Sequence, residues 1–277
     1  MKKSKKTGNT GGRILFLVIE VLCVLVFLYA AIQLYSIFAD YKRASNEYDA
    51  LAEQVVREIS LENDVNSETM DKENVKKQKS SVLDLPYEYE VPKYEVDLEA
   101  VKEQNGDAVG WIILPDSKIN YPIVKSKDNT EYLTTTFDGQ IANSGAIFMD
   151  MYCPEDFNCD NTIIYGHNMK NGSMFRALNN MTDKEYFWRH HIFCIDTGHG
   201  FEEYEVISCY ETVETDLTSW QISFESLDAY EAWLKSIVKR CNYDCVDYDV
   251  MKKTITLSTC RGQSGGPGRF IVHLQKK

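Results

Sequence analysis

TITLSTC, residues 254–260, and RFIVHLQ, residues 269–275, are the two runs from which the fold is most readily inferred. Their alternating side chains predict β-strands, because successive residues of a strand point to opposite faces. Cys260 falls opposite the aliphatic positions of its strand, so its thiol is expected to project away from the core. Arg269 likewise lies opposite the apolar face of the second strand. Four glycines and a proline between the runs predict a turn, and an antiparallel hairpin would bring Cys260 and Arg269 to neighbouring strand ends.

This pairing favours thiol chemistry. A neighbouring guanidinium stabilises a thiolate and can donate hydrogen bonds to a developing oxyanion. A cysteine nucleophile also needs a proton-transfer partner, usually a histidine. Of the five histidines, His167 follows a strand-like run and a glycine, where a loop begins. The residue pattern alone leaves a purely structural role for Cys260 open.

Short runs rich in Ile, Val, Tyr and Phe predict six further strands. Helical patterns intervene between them, and Asp97 is placed to cap a further short helix. Many short strands with few helices predict a mainly-β fold, a closed barrel of eight strands decorated by helices. The six strands are 111–114, 119–124, 146–149, 162–165, 191–196 and 203–210, and the helical patterns are 174–181, 184–189 and 227–241.

An apolar run of 25 residues, 14–38, precedes all of this. As a helix it would reach roughly 37 Å, against a hydrocarbon core of about 30 Å. The run continues past Ala30-Ala31, which favours an uncleaved anchor over a cleaved signal peptide. Five cations precede it and place the N-terminus in the cytoplasm. These are Lys2, Lys3, Lys5, Lys6 and Arg13. We therefore expect a single-pass protein of the cell membrane with an extracellular catalytic domain.

The predicted organisation has four parts. A basic tail, 1–13, precedes the transmembrane segment, 14–39, then a helical stalk with a polar linker, 40–81, and the catalytic domain, 82–277. The net charge of −12 argues against nucleic acid as a partner, because phosphate binding needs Lys and Arg on the surface. No loop with the Asp-x-Asp-x-Asp-Gly spacing of a calcium site occurs, and no metal site is predicted. Two cysteine pairs, Cys153/Cys159 and Cys241/Cys245, are close enough in sequence to pair, and their state stays open.

Several motifs resemble those of the sortases, the cysteine transpeptidases of Gram-positive cell surfaces. They are TLSTC (256–260) with Arg269 nine residues later, and YGHN (165–168). INYPIV (119–124), KDNTEYL (127–133), GAIFMD (145–150) and the helical pattern at 227–241 are similar to class B members in particular. The match runs in order from residue 96 to residue 275. The resemblance implies an eight-stranded sortase barrel with Cys260 as nucleophile, His167 as general acid and base, and Arg269 as oxyanion or substrate stabiliser.

The resemblance also implies the substrates. A secreted protein would be cleaved after the Thr of its C-terminal sorting signal, and its acyl group would pass to an amine of a peptidoglycan precursor or to a pilin lysine, without a cofactor. Four residues correspond to the groove that holds the signal, and two more are expected to line its other wall. The first set is Asn129, Leu133, Ser258 and Thr259, and the second is Trp233 and Leu234. Arg261 stands where many relatives carry an acidic or small polar residue, which leaves substrate preference open.

Two other functions remain possible at this point. An L,D-transpeptidase or peptidoglycan endopeptidase would also pair cysteine with histidine outside the membrane. L,D-transpeptidases usually have a His-Gly immediately before the nucleophile, whereas Ser258-Thr259 stand here. A membrane-tethered binding domain without catalysis is the second alternative, and only a measurement of activity separates it from the enzyme.

Overall fold

A computed structural model describes residues 10–59, 91–125, 127–241, 243, 247–260 and 266–277. Eight of its strands close into a barrel in the order β10-β8-β7-β3-β4-β5-β6-β9. Each predicted strand is present, which confirms the mainly-β barrel. Their bounds are β3 Ala108–Ile113, β4 Asn120–Val124, β5 Ile147–Met149, β6 Asn161–Tyr165, β7 Ile192–Asp196, β8 Phe201–Val213, β9 Thr254–Cys260 and β10 Gly268–Lys276.

Strands β6, β9 and β10 place the C-terminal motif beside the histidine motif. Strands β9 and β10 are antiparallel, with Arg269 directly opposite Cys260, as the alternation predicted. Strand β6 runs parallel to β9, with Tyr165 beside Ser258. Parallel neighbours end at the same edge of a sheet, so the residues after Tyr165 and those after Ser258 leave the barrel together.

The barrel has two apolar layers. Its interior holds side chains such as Ile255 and Leu257 of β9 and Val272 of β10. Outside, helix α4, Leu227–Val238, packs its Leu234 against Ile271 of β10. The expectation that one face of β9 points away from the core is therefore wrong for most of the strand, because this outer layer buries that face as well. Both faces of β9 are buried from Thr254 to Thr259, and only Cys260 at its end is partly exposed.

Apart from the N-terminal helix, the other helices are short. Helix α2, Leu98–Gln104, begins after Asp97, whose carboxylate accepts a hydrogen bond from the N–H of Ala100 at 3.0 Å, as predicted. The predicted helix at 174–181 is a 3₁₀ helix, Phe175–Thr182, and α3 spans Lys184–Arg189. A further 3₁₀ turn, Leu217–Trp220, follows β8.

The N-terminal helix α1 spans Thr10–Val55 without a break. It is long and apolar enough to cross a bilayer, and its side chains from 14 to 38 are exposed. Within the predicted stalk and linker, 40–81, the helix continues to Val55, and a strand that was not predicted, β1 Val56–Ile59, follows. Strand β1 pairs with β2, Lys93–Val96, a small sheet that the sequence did not predict.

The C-terminal turns of α1 pack on the barrel. Tyr48, Leu51, Ala52 and Val55 are buried within the same apolar cluster as the barrel interior. Residues 44–55 thus pack on the barrel. The predicted linker at 62–81, the domain boundary at 82, the tail up to residue 9, Cys245 and the loop at 261–265 with Arg261 lie outside the described residues.

Candidate active site

A cleft of about 400 Å³ opens at the barrel end where β6 and β9 terminate. All three residues predicted to be catalytic line it, as do four of the six predicted to bind substrate. The lining residues are Asn129, Leu133, Phe148, Tyr165, Gly166, His167, Glu214, Leu217, Trp220, Ser258, Thr259, Cys260 and Arg269.

Cys260 is the last residue of β9, and two amide side chains hold its backbone. Its carbonyl accepts hydrogen bonds from Nδ2 of Asn168 at 2.9 Å and from Nδ2 of Asn179 at 3.4 Å. Oδ1 of Asn168 in turn accepts a hydrogen bond from Nη1 of Arg176 at 3.2 Å. These contacts fix the strand end from behind, and the partly exposed thiol is left facing the cleft.

His167 stands two residues beyond the end of β6. Its Nε2 lies 2.8 Å from the carbonyl oxygen of Leu133. A carbonyl oxygen only accepts, so Nε2 carries the proton of this hydrogen bond, and Nδ1 is the nitrogen able to exchange a proton. The backbone of His167 is held as well, because its carbonyl accepts from the N–H of Phe175 at 2.9 Å.

The preceding residue must be a glycine. A Cβ on Gly166 would lie 2.5 Å from Cδ1 of Ile147 and 2.6 Å from Cδ2 of Phe175. Both neighbours belong to the tightly packed interior, so they have little room to move. Gly166 therefore lets the chain pass close to the core immediately before His167.

The guanidinium of Arg269 is surrounded by hydrogen-bond acceptors of its own chain. Nη1 donates to the carbonyls of Gly266 at 2.8 Å and Gly268 at 2.9 Å. Nη2 donates to Oε2 of Glu214 at 2.7 Å. A guanidinium has five N–H donors. Among the described residues these three acceptors leave two donors for a bound substrate, and they hold the planar group in one orientation.

Asn129, predicted to bind substrate, is mainly a link between loops. Its Nδ2 donates to Oδ2 of Asp150 at 2.8 Å, and its Oδ1 accepts from the N–H of Met151 at 2.8 Å. The hydroxyl of Tyr165 donates to the same Asp150 oxygen at 2.8 Å. Burial, followed by the Asp150 carboxylate, raises the pKa of Tyr165 above its ordinary value, so the phenol stays a donor. Asn129 and Tyr165 thus present a braced polar edge to the cleft.

Thr259 offers a different kind of polar group. Its Oγ1 is buried and has no hydrogen-bond partner in the part of the chain that the structure describes. Native structures rarely leave a buried hydroxyl unpaired.

Trp233 and Leu234 do not line this cleft, and the expectation that they form its other wall is wrong. Both lie on the face of α4 that packs on the outside of the barrel, and Nε1 of Trp233 donates to the carbonyl of Thr218 at 2.7 Å. The second wall is instead formed by Glu214, Leu217 and Trp220. Of the unpredicted lining residues, Tyr165 and Gly166 belong to the YGHN motif and Phe148 to GAIFMD, whereas Glu214, Leu217 and Trp220 belong to none of the motifs.

Three other cysteines, Cys153, Cys194 and Cys209, are buried. Cys153 and Cys159 hydrogen-bond one another, and that bond, with burial, raises the pKa of Cys153. The same bond lowers the pKa of Cys159 to about 7.

Comparison with known proteins gives one consistent family. The family model of the sortase domain matches residues 112–277. The chain is 37% identical to sortase B of Listeria monocytogenes over 178 residues, which cover 64% of this chain and 72% of that protein. It is 31% identical to sortase B of Staphylococcus aureus over 180 residues, which cover 64% and 73%.

Solved structures agree with this comparison. The S. aureus sortase B–substrate complex has a TM-score of 0.61 at 30% identity, covering 65% of this chain and 84% of that one. Sortase B of Bacillus anthracis in complex with AAEK1 has a TM-score of 0.59 at 35% identity, covering 65% and 83%. A sortase B complexed with triglycine has a TM-score of 0.60 at 29% identity, covering 65% and 84%.

Proposed function

The chain belongs to the sortase family, class B, whose members are cysteine transpeptidases, and we propose that it cleaves a C-terminal sorting signal through Cys260, His167 and Arg269. The observation that carries this proposal is the convergence of these three side chains on one cleft. The parallel pair β6–β9 and the antiparallel pair β9–β10 bring them there from three strands. A free thiol, an imidazole and a guanidinium at one barrel end supply a nucleophile, a proton carrier and oxyanion donors.

In the first half-reaction, Nδ1 of His167 takes the proton of the Cys260 thiol, and Sγ attacks the carbonyl carbon of the Thr in the sorting signal. The two remaining donors of Arg269 stabilise the negative charge that develops on the carbonyl oxygen. The bond to the next residue then breaks, and His167 gives its proton from Nδ1 to the departing amine. The product is a thioester between Cys260 and the substrate.

In the second half-reaction, an amine nitrogen attacks the thioester carbon. His167 takes the proton of the incoming amine through Nδ1, and the thiolate of Cys260 leaves. The carbonyl of Leu133 keeps Nε2 protonated throughout, so the same nitrogen gives and receives the proton in both halves. The net reaction exchanges one amide for another and needs no cofactor.

The substrate is proposed to be a secreted protein that carries a sorting signal, and the acceptor an amine of a peptidoglycan precursor or a pilin lysine. The S. aureus sortase B–substrate complex and the sortase B complex with triglycine support a peptide and an amine as partners of such an enzyme. The cleft combines apolar Leu133, Leu217 and Trp220 with polar Asn129 and Ser258, which suits an extended peptide of mixed character.

We propose that α1 anchors the enzyme in the cell membrane. Its exposed apolar side chains from 14 to 38 have the length of a bilayer span, and five cations precede it in the sequence. The N-terminus would then be cytoplasmic and the barrel extracellular. The domain boundaries at 13, 39 and 81 belong to this proposal, with the amendment that residues 44–55 pack on the barrel.

The test uses the full chain in lipid nanodiscs with a library of quenched sorting-signal peptides and triglycine as the amine. We expect cleavage after Thr, a triglycine adduct of the product, and a thioester on the tryptic peptide 254–261, which contains Cys260 as its one cysteine. Cys260→Ala should bind peptide but release no product. Cleavage that persists in Cys260→Ala, or no cleavage and no adduct by folded protein with a reduced Cys260, would contradict the proposal.

A further inference from the structure

Tyr48, near the C-terminal end of α1, is a polar side chain buried at the junction of that helix and the barrel. Only 4% of it is exposed, and its ring packs edge-on against Tyr121 with ring centroids 5.2 Å apart. Its hydroxyl donates to the carbonyl of Gly145 at 2.9 Å and accepts from the N–H of Phe137 at 3.1 Å. The helix is thus tied to two loops that lie 89 and 97 residues further along the chain by one hydroxyl group whose donor and acceptor are both used.

A first route leads from this hydroxyl to the ring of His167. Gly145 has a φ of 55°, and a Cβ there would lie 2.2 Å from the carbonyl oxygen of Tyr132 and 2.8 Å from that of Leu133. The next residue, Ala146, donates its N–H to the carbonyl of Tyr132 at 3.0 Å. The backbone held by Tyr48 therefore lies directly against the peptide unit whose Leu133 carbonyl binds Nε2 of His167.

A second route leads to the backbone of His167. The hydroxyl of Tyr121, on which Tyr48 packs, accepts the N–H of Met174 at 3.0 Å. Met174 has a φ of 57°, a conformation that costs free energy for a residue other than glycine and persists only where neighbours hold it. The following residue, Phe175, donates its N–H to the carbonyl of His167. The turn at Met174, which fixes the backbone of His167, is thus held through the contact between Tyr48 and Tyr121.

We propose that Tyr48 is a positioning residue for His167, so that the last turns of the membrane helix are part of the catalytic unit. Tyr48 does not touch the cleft. It acts through Gly145 and Leu133 on the ring nitrogen and through Tyr121 and Met174 on the backbone. The catalytic consequence rests on the proposed function of His167, whereas the effect on the imidazole itself does not.

The test compares the full chain in nanodiscs with its Tyr48→Phe variant, which keeps the ring and removes the hydroxyl. Diethyl pyrocarbonate attacks an unprotonated ring nitrogen, so it reaches Nδ1 of His167 in the wild type, whereas the Leu133 carbonyl keeps Nε2 protonated and closed to it. Once Gly145 is released, we expect carbethoxylation at Nε2 to become about fivefold faster, the factor that one lost hydrogen bond corresponds to. The two ring adducts are separated by chromatography of the tryptic peptide 128–170, whose one histidine is His167. Peptide cleavage should slow by about the same factor, and not at all in a His167→Ala background.

The matched control is Tyr152→Phe, which removes a hydroxyl from a tyrosine that is 75% exposed and should change neither rate. A lower melting temperature of Tyr48→Phe with wild-type carbethoxylation of His167 would reduce Tyr48 to a packing residue and overturn the proposal. So would equal slowing of cleavage with and without His167. A chain that cleaves no sorting peptide would fail the proposed function alone, because carbethoxylation needs no substrate.

Discussion

His167 and His273 are the same type of side chain in opposite surroundings. His167 is half-buried at the cleft, with one ring nitrogen on a backbone carbonyl. His273 is fully buried in β10, with Nδ1 2.8 Å from Oγ1 of Thr256 and Nε2 2.8 Å from the hydroxyl of Tyr210. The strand that precedes His167, β6, and the strand that contains His273, β10, alternate in the same way. Alternation alone therefore does not separate the two histidines. The difference is that one imidazole keeps a nitrogen for exchange, and the other has both nitrogens engaged.

The region around His273 is a buried polar network of β6, β8, β9 and β10. Oγ1 of Thr256 donates to Oδ1 of Asn161 at 2.7 Å, so it accepts from Nδ1–H of His273, and Nε2 accepts from Tyr210. Burial, and then the charge of Arg240, lower the pKa of His273 to about 3. Arg240 itself pairs with Asp216 at 2.6 Å. The network keeps His273 neutral and joins these four strands beneath α4.

Removing each imidazole in turn should give the largest difference between His167 and His273. We expect His167→Ala to lower kcat/KM for peptide cleavage by about 10²- to 10⁴-fold, because general acid–base catalysis is lost. Its melting temperature should stay close to wild type, since the ring is only half-buried. His273→Ala should show the reverse pattern, a large loss of stability with cleavage retained in the folded fraction. A catalytic loss in His273→Ala equal to that in His167→Ala would break the distinction.

A pH titration of stability tests the neutrality of His273. In the unfolded chain His273 binds a proton near pH 6.5, whereas in the folded protein it stays neutral down to about pH 3. Protonation therefore favours unfolding, and the free energy of unfolding should fall by roughly 1.4 kcal/mol per pH unit as the pH drops through that window. Guanidinium unfolding followed by tryptophan fluorescence measures it.

Carboxylates also titrate in that window, so a variant must separate their effect. His273→Gln starts from a lower stability and should have a shallower slope between pH 6 and pH 4.5 than the wild type. Identical slopes in the two proteins would mean that His273 is already protonated in the folded chain. The network would then have to hold a buried imidazolium.

The smallest expected effect is that of one member of the network. Thr256→Val keeps the shape and removes the acceptor of His273 and the donor to Asn161. We expect a loss of about 1 to 2 kcal/mol in the free energy of unfolding, the cost of unpaired buried polar groups, with kcat/KM unchanged. Thermal melts and peptide cleavage of the same samples measure both. A drop in kcat/KM of Thr256→Val without a drop in stability would mean that the network around His273 influences the active site around His167.

Much of the fold could be predicted because its signals are local. Alternation predicted β9 and β10, runs rich in Ile, Val, Tyr and Phe predicted the other six barrel strands, and the glycine-rich turn placed Cys260 and Arg269 at neighbouring strand ends, where the structure pairs them. The sheet of β1 and β2 was not predictable in this way, because its partners are 34 or more residues apart and each run has only four residues. The outer layer was missed for a related reason, since α4 covers a polar strand face that looks exposed in the sequence.

The site was predictable where one motif supplies it. Cys260, His167 and Arg269 each belong to a short motif at a strand end, and the structure brings them to one cleft. Trp233 was misplaced because an apolar helix face does not reveal whether it packs on the barrel or lines the groove. Glu214 and Leu217 were missed because they lie in the segment after β8, and nothing in that segment distinguishes a lining residue from a surface residue.

In the proposed membrane-anchored arrangement, the unbroken course of α1 sets the height of its junction with the barrel above the bilayer. An α-helix rises about 1.5 Å per residue, so Tyr48 stands about 15 Å beyond Phe38, the last residue of the apolar run. Because Tyr48 is also bonded to the barrel, the barrel is held at that junction. A substrate held in the same bilayer would then have to extend beyond the membrane surface to reach the barrel. At about 3.3 Å per extended residue, reaching the level of Tyr48 takes roughly five residues.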